Sequence, residues 1–169
     1  MKRHLSLSAI AAALLFVAAL PNARAATSTA TFQVSLTVQP TCAAIASALN
    51  FGSTGALTAA VNGQTTLSVT CTNTTAYSVA LDGGNVSGST VTSRLMAGTT
   101  AGNTSTTVGF QLYQDAAHNS VWGNTTGTNT VSGTGNGAAQ SITVYGSVPI
   151  QTTPQPDTYQ TLVTATVTF

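Results

Sequence analysis

Apolar and polar residues alternate without a break along residues 30–39, ATFQVSLTVQ. The apolar positions are Ala30, Phe32, Val34, Leu36 and Val38. Because successive side chains of a strand point to opposite faces, a period of two predicts a β-strand with one apolar face. That face must be buried either in the domain that follows it or in another molecule.

The same alternation recurs along most of the chain. Residues 64–71, 76–81, 108–113 and 141–149 each predict a strand, residues 91–96 predict a short one, and a short extended piece begins at Cys42. Glycine and asparagine separate these segments, as in Asp82-Gly83-Gly84-Asn85, where turn chemistry is concentrated. Residues 123–138, rich in Gly, Thr and Asn, predict a long loop or an irregular hairpin.

The last segment, residues 163–169, reads VTATVTF. Its apolar positions are Val163, Ala165, Val167 and Phe169. Chain ends fray unless they are tied into a sheet, so this alternation predicts a terminal strand that is held, with Phe169 as a core residue.

Composition agrees with strands throughout. Val and Thr favour strands, Gly and Asn end them, and the helix formers Lys and Glu are absent after residue 25. Several short strands separated by turns predict an all-β, immunoglobulin-like β-sandwich built as one domain.

The N-terminus has the features of a secretory signal peptide. Lys2 and Arg3 precede an apolar run at residues 5–20, and small residues follow at Ala23 and Ala25. The run is shorter than the roughly 20 residues that a membrane-spanning helix needs. We therefore expect cleavage after residue 25, an exported product, and no membrane insertion of that product.

Charge is nearly absent from the exported part. From residue 26 onward the charged side chains are Arg94, Asp82, Asp115 and Asp157, and the only histidine is His118. A basic patch for phosphate is therefore missing, which excludes ordinary nucleic-acid binding and electrostatic docking on anionic membranes. No cofactor motif is found.

The two cysteines, Cys42 and Cys71, are expected to form a structural disulfide, because an exported protein is oxidised by default. The bridge would close a loop of about 30 residues. Two thiols and one histidine make a poor metal site, so no metal is expected.

Catalytic chemistry is not indicated. A Ser-His-Asp arrangement would have to use His118, yet the GxSxG motif is missing. Asp82 and Asp157 lie beside turn residues, where local capping is the simpler role. A glycosidase pair of carboxylates is not excluded by spacing, but nothing favours it. We predict that the protein is not an enzyme.

Several motifs together resemble the spore coat protein U domain of archaic chaperone-usher pilins, such as the subunits of Csu pili. The matching motifs, in order, are residues 68–71 (SVTC), 77–84 (YSVALDGG), Arg94-Leu95, 110–117 (FQLYQDAA), Val121-Trp122, and Tyr159 with the alternating tail. The chain departs from the family pattern at Asp157 and Thr161, where such domains often carry Gly and Asp.

This resemblance implies an immunoglobulin-like fold that lacks its last strand, with an open groove between its sheets. The N-terminal extension of the next subunit fills that groove in donor-strand complementation, a form of β-augmentation. In this chain the donor extension would be residues 26–39, with Ala30, Phe32, Val34, Leu36 and Val38 as its buried positions, and residues 40–169 the pilin domain.

The implied partners are neighbouring pilin subunits in a head-to-tail polymer, a periplasmic chaperone and an outer-membrane usher. Phe169 and the terminal strand would anchor the chaperone, and the surface pilus would serve adhesion and biofilm formation. The alternative function is a secreted spore-coat or surface-binding module that does not polymerise as a pilus.

Overall fold

A computed structural model describes residues 24–169 of the chain, which divides into a unit ending at Thr37 and a unit formed by Val38–Phe169. The signal peptide predicted for residues 1–25 lies outside the described residues, apart from its last two. In the first unit, residues 24–37 form no strand or helix and are exposed. Among the described residues there is no helix with the length and hydropathy that a membrane crossing requires.

Every regular element of residues 24–169 is a β-strand. The strands are β1 Cys42–Ala46, β2 Val61–Cys71, β3 Ala76–Leu81, β4 Arg94–Gly98, β5 Thr107–Tyr113, β6 Val131–Thr134, β7 Ala139–Val148, β8 Tyr159–Gln160 and β9 Ala165–Thr168. The predicted all-β class and the immunoglobulin-like sandwich are confirmed.

The strands form two antiparallel sheets. The larger has six strands in the order β1-β2-β7-β5-β4-β8, and the smaller has three in the order β6-β3-β9. The longest pairing joins β2 to β7, from Val61 opposite Val148 to Thr70 opposite Ala139. Because alternate residues share a face, this register places Leu67, Val69 and Val144 on the buried side.

The predicted disulfide between Cys42 and Cys71 is confirmed. The two residues are direct partners in the pairing of β1 with β2, and their Cα atoms lie 4.1 Å apart. The bridge therefore fixes the first residue of β1 to the last residue of β2.

The core lies between the inner faces of the sheets. Within residues 24–169 it contains thirteen buried apolar side chains, with Trp122, Val69 and Val79 fully inaccessible to solvent. The Trp122 indole N–H donates to the Val79 carbonyl at 2.9 Å, which satisfies the polar atom of this large buried ring.

Two expectations about the second half of the chain need correction. Residues 123–138 include the strand β6, which pairs with β3, so this stretch is more than a loop. Its sequence, VSGT, carries little strand signal, and the pairing with β3 decides its conformation. The short strand expected at residues 91–96 begins at Arg94 and ends at Gly98.

The C-terminal segment is held, as predicted. β9 pairs with β3, with Ala165 opposite Leu81 and Val167 opposite Val79. Val163, Ala165 and Val167 are half-buried against the core. The expectation that Phe169 is a core residue is wrong for this structure, because the strand ends at Thr168 and Phe169 is 57% exposed.

Candidate functional site: an apolar groove

A deep groove of about 860 Å³ lies between the two sheets of the second unit. Its floor consists of core side chains from both sheets. These are Leu67, Leu81, Met96, Val108, Phe110, Leu112, Val144 and Val148. Apart from Met96, these side chains are at most 6% exposed, so the groove reaches down to the buried core.

Two segments form the rims of the groove. One is residues 47–57, which follow β1, and the other is residues 153–163, which include β8 and precede β9. Leu49 and Phe51 contribute apolar side chains to the first rim, and Leu162 and Val163 contribute to the second. Leu162 is 74% exposed, so the apolar surface continues out of the groove.

A network of hydrogen bonds holds the second rim in place. The Asp157 carboxylate accepts from the Thr100 amide at 3.0 Å and from Asn103 Nδ2 at 2.6 Å. Asn103 is buried and also donates to the Tyr159 hydroxyl at 3.2 Å, which in turn donates to the Gln155 carbonyl at 2.8 Å. The Asn103 hydrogen bond, helped by those from Thr100 and Thr158, holds the pKa of Asp157 far below its usual range.

The two positions that depart from the family pattern therefore have structural roles here. Asp157 ties the rim to the loop after β4, and Thr161 Oγ1 donates to Asn85 Oδ1 at 3.1 Å. Asn85 Oδ1 also accepts from the Leu162 amide at 2.9 Å. The side chains of Asp157 and Thr161 therefore both hold the rim residues of the groove in place.

One edge of the groove is the strand β9. Among the described residues, β9 has only β3 as a neighbour and β1 only β2, and the two strands come within 8 Å of each other between Cα atoms. A strand edge without a partner presents backbone N–H and C=O groups that can pair with another chain.

Arg94 is a charged residue that is fully buried, and it supports this edge from inside the core. Its guanidinium donates to the carbonyls of Asp82 at 2.9 Å, Leu81 at 3.1 Å, Val91 at 3.1 Å and Trp122 at 2.7 Å, and to Gln111 Oε1. Burial lowers the pKa of Arg94 to about 10, against the opposing attraction of Asp82, so the side chain is charged at neutral pH.

Asp82 continues the connection from Arg94 to β9. Its Oδ1 accepts from the Gly84 amide at 2.9 Å and from the Thr164 amide at 2.9 Å, and its own amide donates to the Thr164 carbonyl at 3.1 Å. Thr164 directly precedes β9. Arg94 thus holds the backbone of Asp82, and Asp82 holds Thr164 at the start of the strand that borders the groove.

Sequence reasoning does not predict this role of Arg94 and Asp82. In the sequence, Arg94 stands out only within a family motif, and Asp82 only as a turn residue. The available signal is that Arg94 is the single basic residue after residue 25 and lies two positions before Met96, on the same face of a predicted strand. A lone arginine on an apolar face needs several acceptors in the core.

The polar groups considered for catalysis have structural partners. Asp115 accepts from the amides of Asn119 at 3.2 Å and Ser120 at 2.7 Å, and these bonds lower its pKa. The His118 ring stacks on Tyr113 with 4.8 Å between centroids. In the part of the chain that is described, no three His, Cys, Asp or Glu residues are grouped so that they could hold a metal ion.

The proposed donor positions are exposed and belong to no strand. Residues 24–41 belong to no strand, and Phe32, Val34, Leu36 and Val38 are 86%, 82%, 89% and 73% exposed. Side chains of this kind are rarely left in water in a row. The described chain thus combines an exposed apolar segment with an apolar groove that reaches the core.

These features define a class: a disulfide-linked, immunoglobulin-like sandwich with an open groove between its sheets. The model of the Spore Coat Protein U domain matches residues 28–166. The chain belongs to this family, as its motifs predicted.

The fold is also similar to that of a solved structure, described as the crystal structure of the CsuC-CsuE chaperone-tip adhesion subunit pre-assembly complex from archaic chaperone-usher Csu pili of Acinetobacter baumannii. The two chains are 23% identical with a TM-score of 0.59, and the match covers 79% of this chain and 41% of the other. The present chain therefore spans about two-fifths of that one. A comparison with the curated proteins found no match.

Proposed function

We propose that this protein is a structural subunit of a surface pilus that the chaperone-usher pathway assembles by donor-strand complementation. Residues 26–39 are the donor extension of one subunit, and residues 40–169 are the acceptor domain of the next. One observation carries the proposal: a single chain has both an open apolar groove and an exposed segment with strict period-two alternation.

The segment suits the groove in chemistry. An extended run of ten residues is about 33 Å long at about 3.3 Å per residue. It would place Ala30, Phe32, Val34, Leu36 and Val38 on one face, against floor residues that are almost all apolar. The polar face, made of Thr, Ser and Gln, would remain toward solvent.

The backbone of the segment also has a place to pair. The edge of β9 opposite β3 has no strand partner among the described residues, and Ala165, the first residue of β9, lines the groove. Addition of a strand to such an edge is β-augmentation, in which main-chain hydrogen bonds give affinity and alternate side chains give specificity.

Size alone does not identify the occupant, because small-molecule pockets span about 300–1,000 Å³. The lining supports a peptide strand as the occupant. Its titratable side chains, Asp157 and Tyr159, both lie on a rim and are already hydrogen-bonded. The floor side chains are apolar, which matches the apolar face of residues 30–39.

Binding of the donor segment of one subunit in the groove of another gives a polymer. The donor segment and the acceptor groove are different parts of the chain, so each contact leaves a free donor at one end and a free groove at the other. Such a heterologous contact generates an open filament. The product is a pilus outside the cell, where it would serve adhesion and biofilm formation.

Export requires that the groove be covered before assembly, because an open apolar surface promotes aggregation. A periplasmic chaperone would cover it, and an outer-membrane usher would exchange the chaperone for the next subunit. The similar Csu structure is itself a complex of a chaperone with a pilus subunit, which supports this order of events. The terminal residues Val163, Ala165, Val167 and Phe169 are the proposed chaperone anchor, and the exposed Phe169 is accessible for it.

The experiment places charges on one face of the donor segment. The double substitution Val34→Asp and Leu36→Asp should abolish fibre formation by the mature chain, because a carboxylate cannot be buried unpaired in the groove. A synthetic peptide of residues 30–39, added to this variant, should bind its groove and raise its melting temperature.

The matched control is Ser35→Asp with Thr37→Asp, which adds the same charge to the same segment on its opposite face. Electron microscopy should show fibres for the control and none for the test variant. Normal fibres from the Val34 and Leu36 variant would disprove the proposal. A chain that never assembles, yet binds surfaces equally well without residues 26–39, would establish the secreted coat or surface-binding module instead.

A further inference from the structure

The first rim of the groove has few attachments to the rest of the domain. Its ends are anchored, since the Ser47 amide donates to the Thr66 carbonyl at 3.1 Å and the Leu57 amide donates to Thr153 Oγ1 at 3.0 Å. Between these anchors lie residues 48–56, here termed the strap. Within the described chain, the hydrogen bonds of the strap are local, from the Gly52 amide to Asn50 and from Thr54 to the Ala56 carbonyl.

Only two side chains of the strap are withdrawn from solvent. Leu49 and Phe51 are half-buried, whereas the other seven residues are exposed. The two side chains are two positions apart, so they point the same way from an extended backbone. Phe51 packs edge-on against Phe110 on the groove floor, with 6.3 Å between ring centroids.

The side chains of Leu49 and Phe51 pack over a pair of glycines. Gly63 in β2 and Gly146 in β7 are direct cross-strand partners. A Cβ atom on Gly146 would lie 2.5 Å from Leu49 Cδ2 and 3.0 Å from Phe51 Cζ. A Cβ atom on Gly63 would lie 3.3 Å from Leu49 Cδ1 and 3.3 Å from Phe51 Cδ1. Glycine in a strand often marks such a close approach.

We propose that Leu49 and Phe51 are positioning residues that hold the strap on the Gly63–Gly146 pair, and that this docking sets the affinity of the groove for a donor strand. The inference rests on the proposed function. The strap is one wall of the groove, so a displaced strap widens the site and removes apolar contacts from an occupant. Docking of the strap and filling of the groove are then thermodynamically coupled.

The glycines allow a test that does not touch the groove itself. The residues that line the groove, all in the described part of the chain, include Leu49 and Phe51 but neither Gly63 nor Gly146. We therefore expect any loss of affinity after substitution of Gly146 to arise from displacement of the strap. Gly109 in β5 provides the matched control, because a Cβ atom there would meet only Gln151, at 3.5 Å or more.

The experiment measures binding of a labelled peptide of residues 30–39 to the mature chain carrying Val34→Asp and Leu36→Asp. On that background, Gly146→Ala should weaken binding about tenfold and Gly63→Ala about threefold, following the severity of the two clashes, whereas Gly109→Ala should leave it unchanged. Backbone ¹⁵N order parameters of residues 48–56 should fall in the same order, from rigid values of ~0.85 toward ~0.6.

Leu49→Ala provides a second variant that introduces no clash and tests the inference if Gly146→Ala does not fold. It should also lower the order parameters of the strap and weaken binding. Combined with Gly146→Ala, it should give less than the sum of the two effects, because the atom that Gly146→Ala displaces is already gone.

The outcomes separate the two proposals. Failure of the peptide to bind the unsubstituted groove would refute the proposed function, and the strap inference with it. Tight binding that Gly146→Ala leaves unchanged would refute the strap inference alone. A loss of affinity without a change in the order parameters of residues 48–56 would also refute it, since the effect would then bypass the strap.

Discussion

Two segments of this chain have the same sequence pattern and different surroundings. Residues 30–39 and residues 163–169 both alternate apolar side chains with Thr, Ser or Gln. The C-terminal segment forms β9 on β3 and half-buries Val163, Ala165 and Val167. The N-terminal segment pairs with no strand, and Leu36 is 89% exposed. Period-two alternation therefore defines a face that can be buried, but it does not specify the molecule that buries it.

The difference follows from the neighbours that each segment has. β9 pairs with β3, and the amide of Thr164, just before β9 begins, donates to Asp82 Oδ1 at 2.9 Å. Residues 30–39 precede the disulfide at Cys42, where β1 starts. Substitutions in β9, in the residues that support β9 and the groove, and in the disulfide that follows the exposed segment therefore test the comparison.

Loss of the disulfide should have the largest effect. Cys42→Ser with Cys71→Ser releases β1, most of which is exposed, and should cost about 3–4 kcal/mol of stability for a loop of this length. Chemical denaturation of the mature chain measures it. A change below about 1 kcal/mol would mean that β1 is held by its pairing with β2 alone.

A charge on the held segment should destabilise the domain, whereas the same charge on the exposed segment should not. Val167→Asp is expected to lower the free energy of unfolding by about 2–3 kcal/mol, because Val167 packs against the core. Leu36→Asp, compared in the same urea titration of monomeric protein, should stay within about 0.5 kcal/mol. Equal effects would contradict the comparison.

Removal of the Asp82 carboxylate should loosen the start of β9. Asp82→Ala leaves the Gly84 and Thr164 amides without their acceptor and should cost about 1–2 kcal/mol. Relative to the unsubstituted chain, a larger increase in amide exchange at Thr164 than at Val69, near the end of β2, would show that the loss is local. Asp115→Ala, which removes a carboxylate from a separate turn, is the control.

Acid should weaken the second rim of the groove through Asp157. Because folding depresses its pKa, its stabilising contribution is fully present above the unfolded value of about 3.9 and is lost as pH falls through the folded value. Thermal melts between pH 5 and pH 2 should show this loss in the unsubstituted chain and a flatter profile in Asp157→Asn. Parallel profiles would exclude the role given to this carboxylate.

Much of the fold could be predicted from local pattern. The alternation in residues 64–71, 76–81 and 108–113 coincides with parts of β2, β3 and β5, because each strand has one buried face and leaves its polar residues outside. β6 and β8 could not be found in this way. They are short, and only their neighbours β3 and β4 stabilise them.

The candidate site was predicted in part. The sequence identified an apolar segment in need of a partner, and the family resemblance implied a groove. The groove residues themselves come from distant parts of the chain, from Ala46 to Ala165, and only the pairing of the strands brings them together. The buried Arg94 was not predicted, because its five acceptors are spread over four regions of sequence.

The sequence by itself determined the all-β class, the Cys42–Cys71 bridge and the faces of the strands, since these depend on composition and on neighbouring residues. Tertiary structure decided which of the two alternating segments is buried, where the groove opens, and which side chains lie over Gly63 and Gly146. These properties depend on contacts between residues far apart in sequence, and such contacts exist only after the sheets have formed.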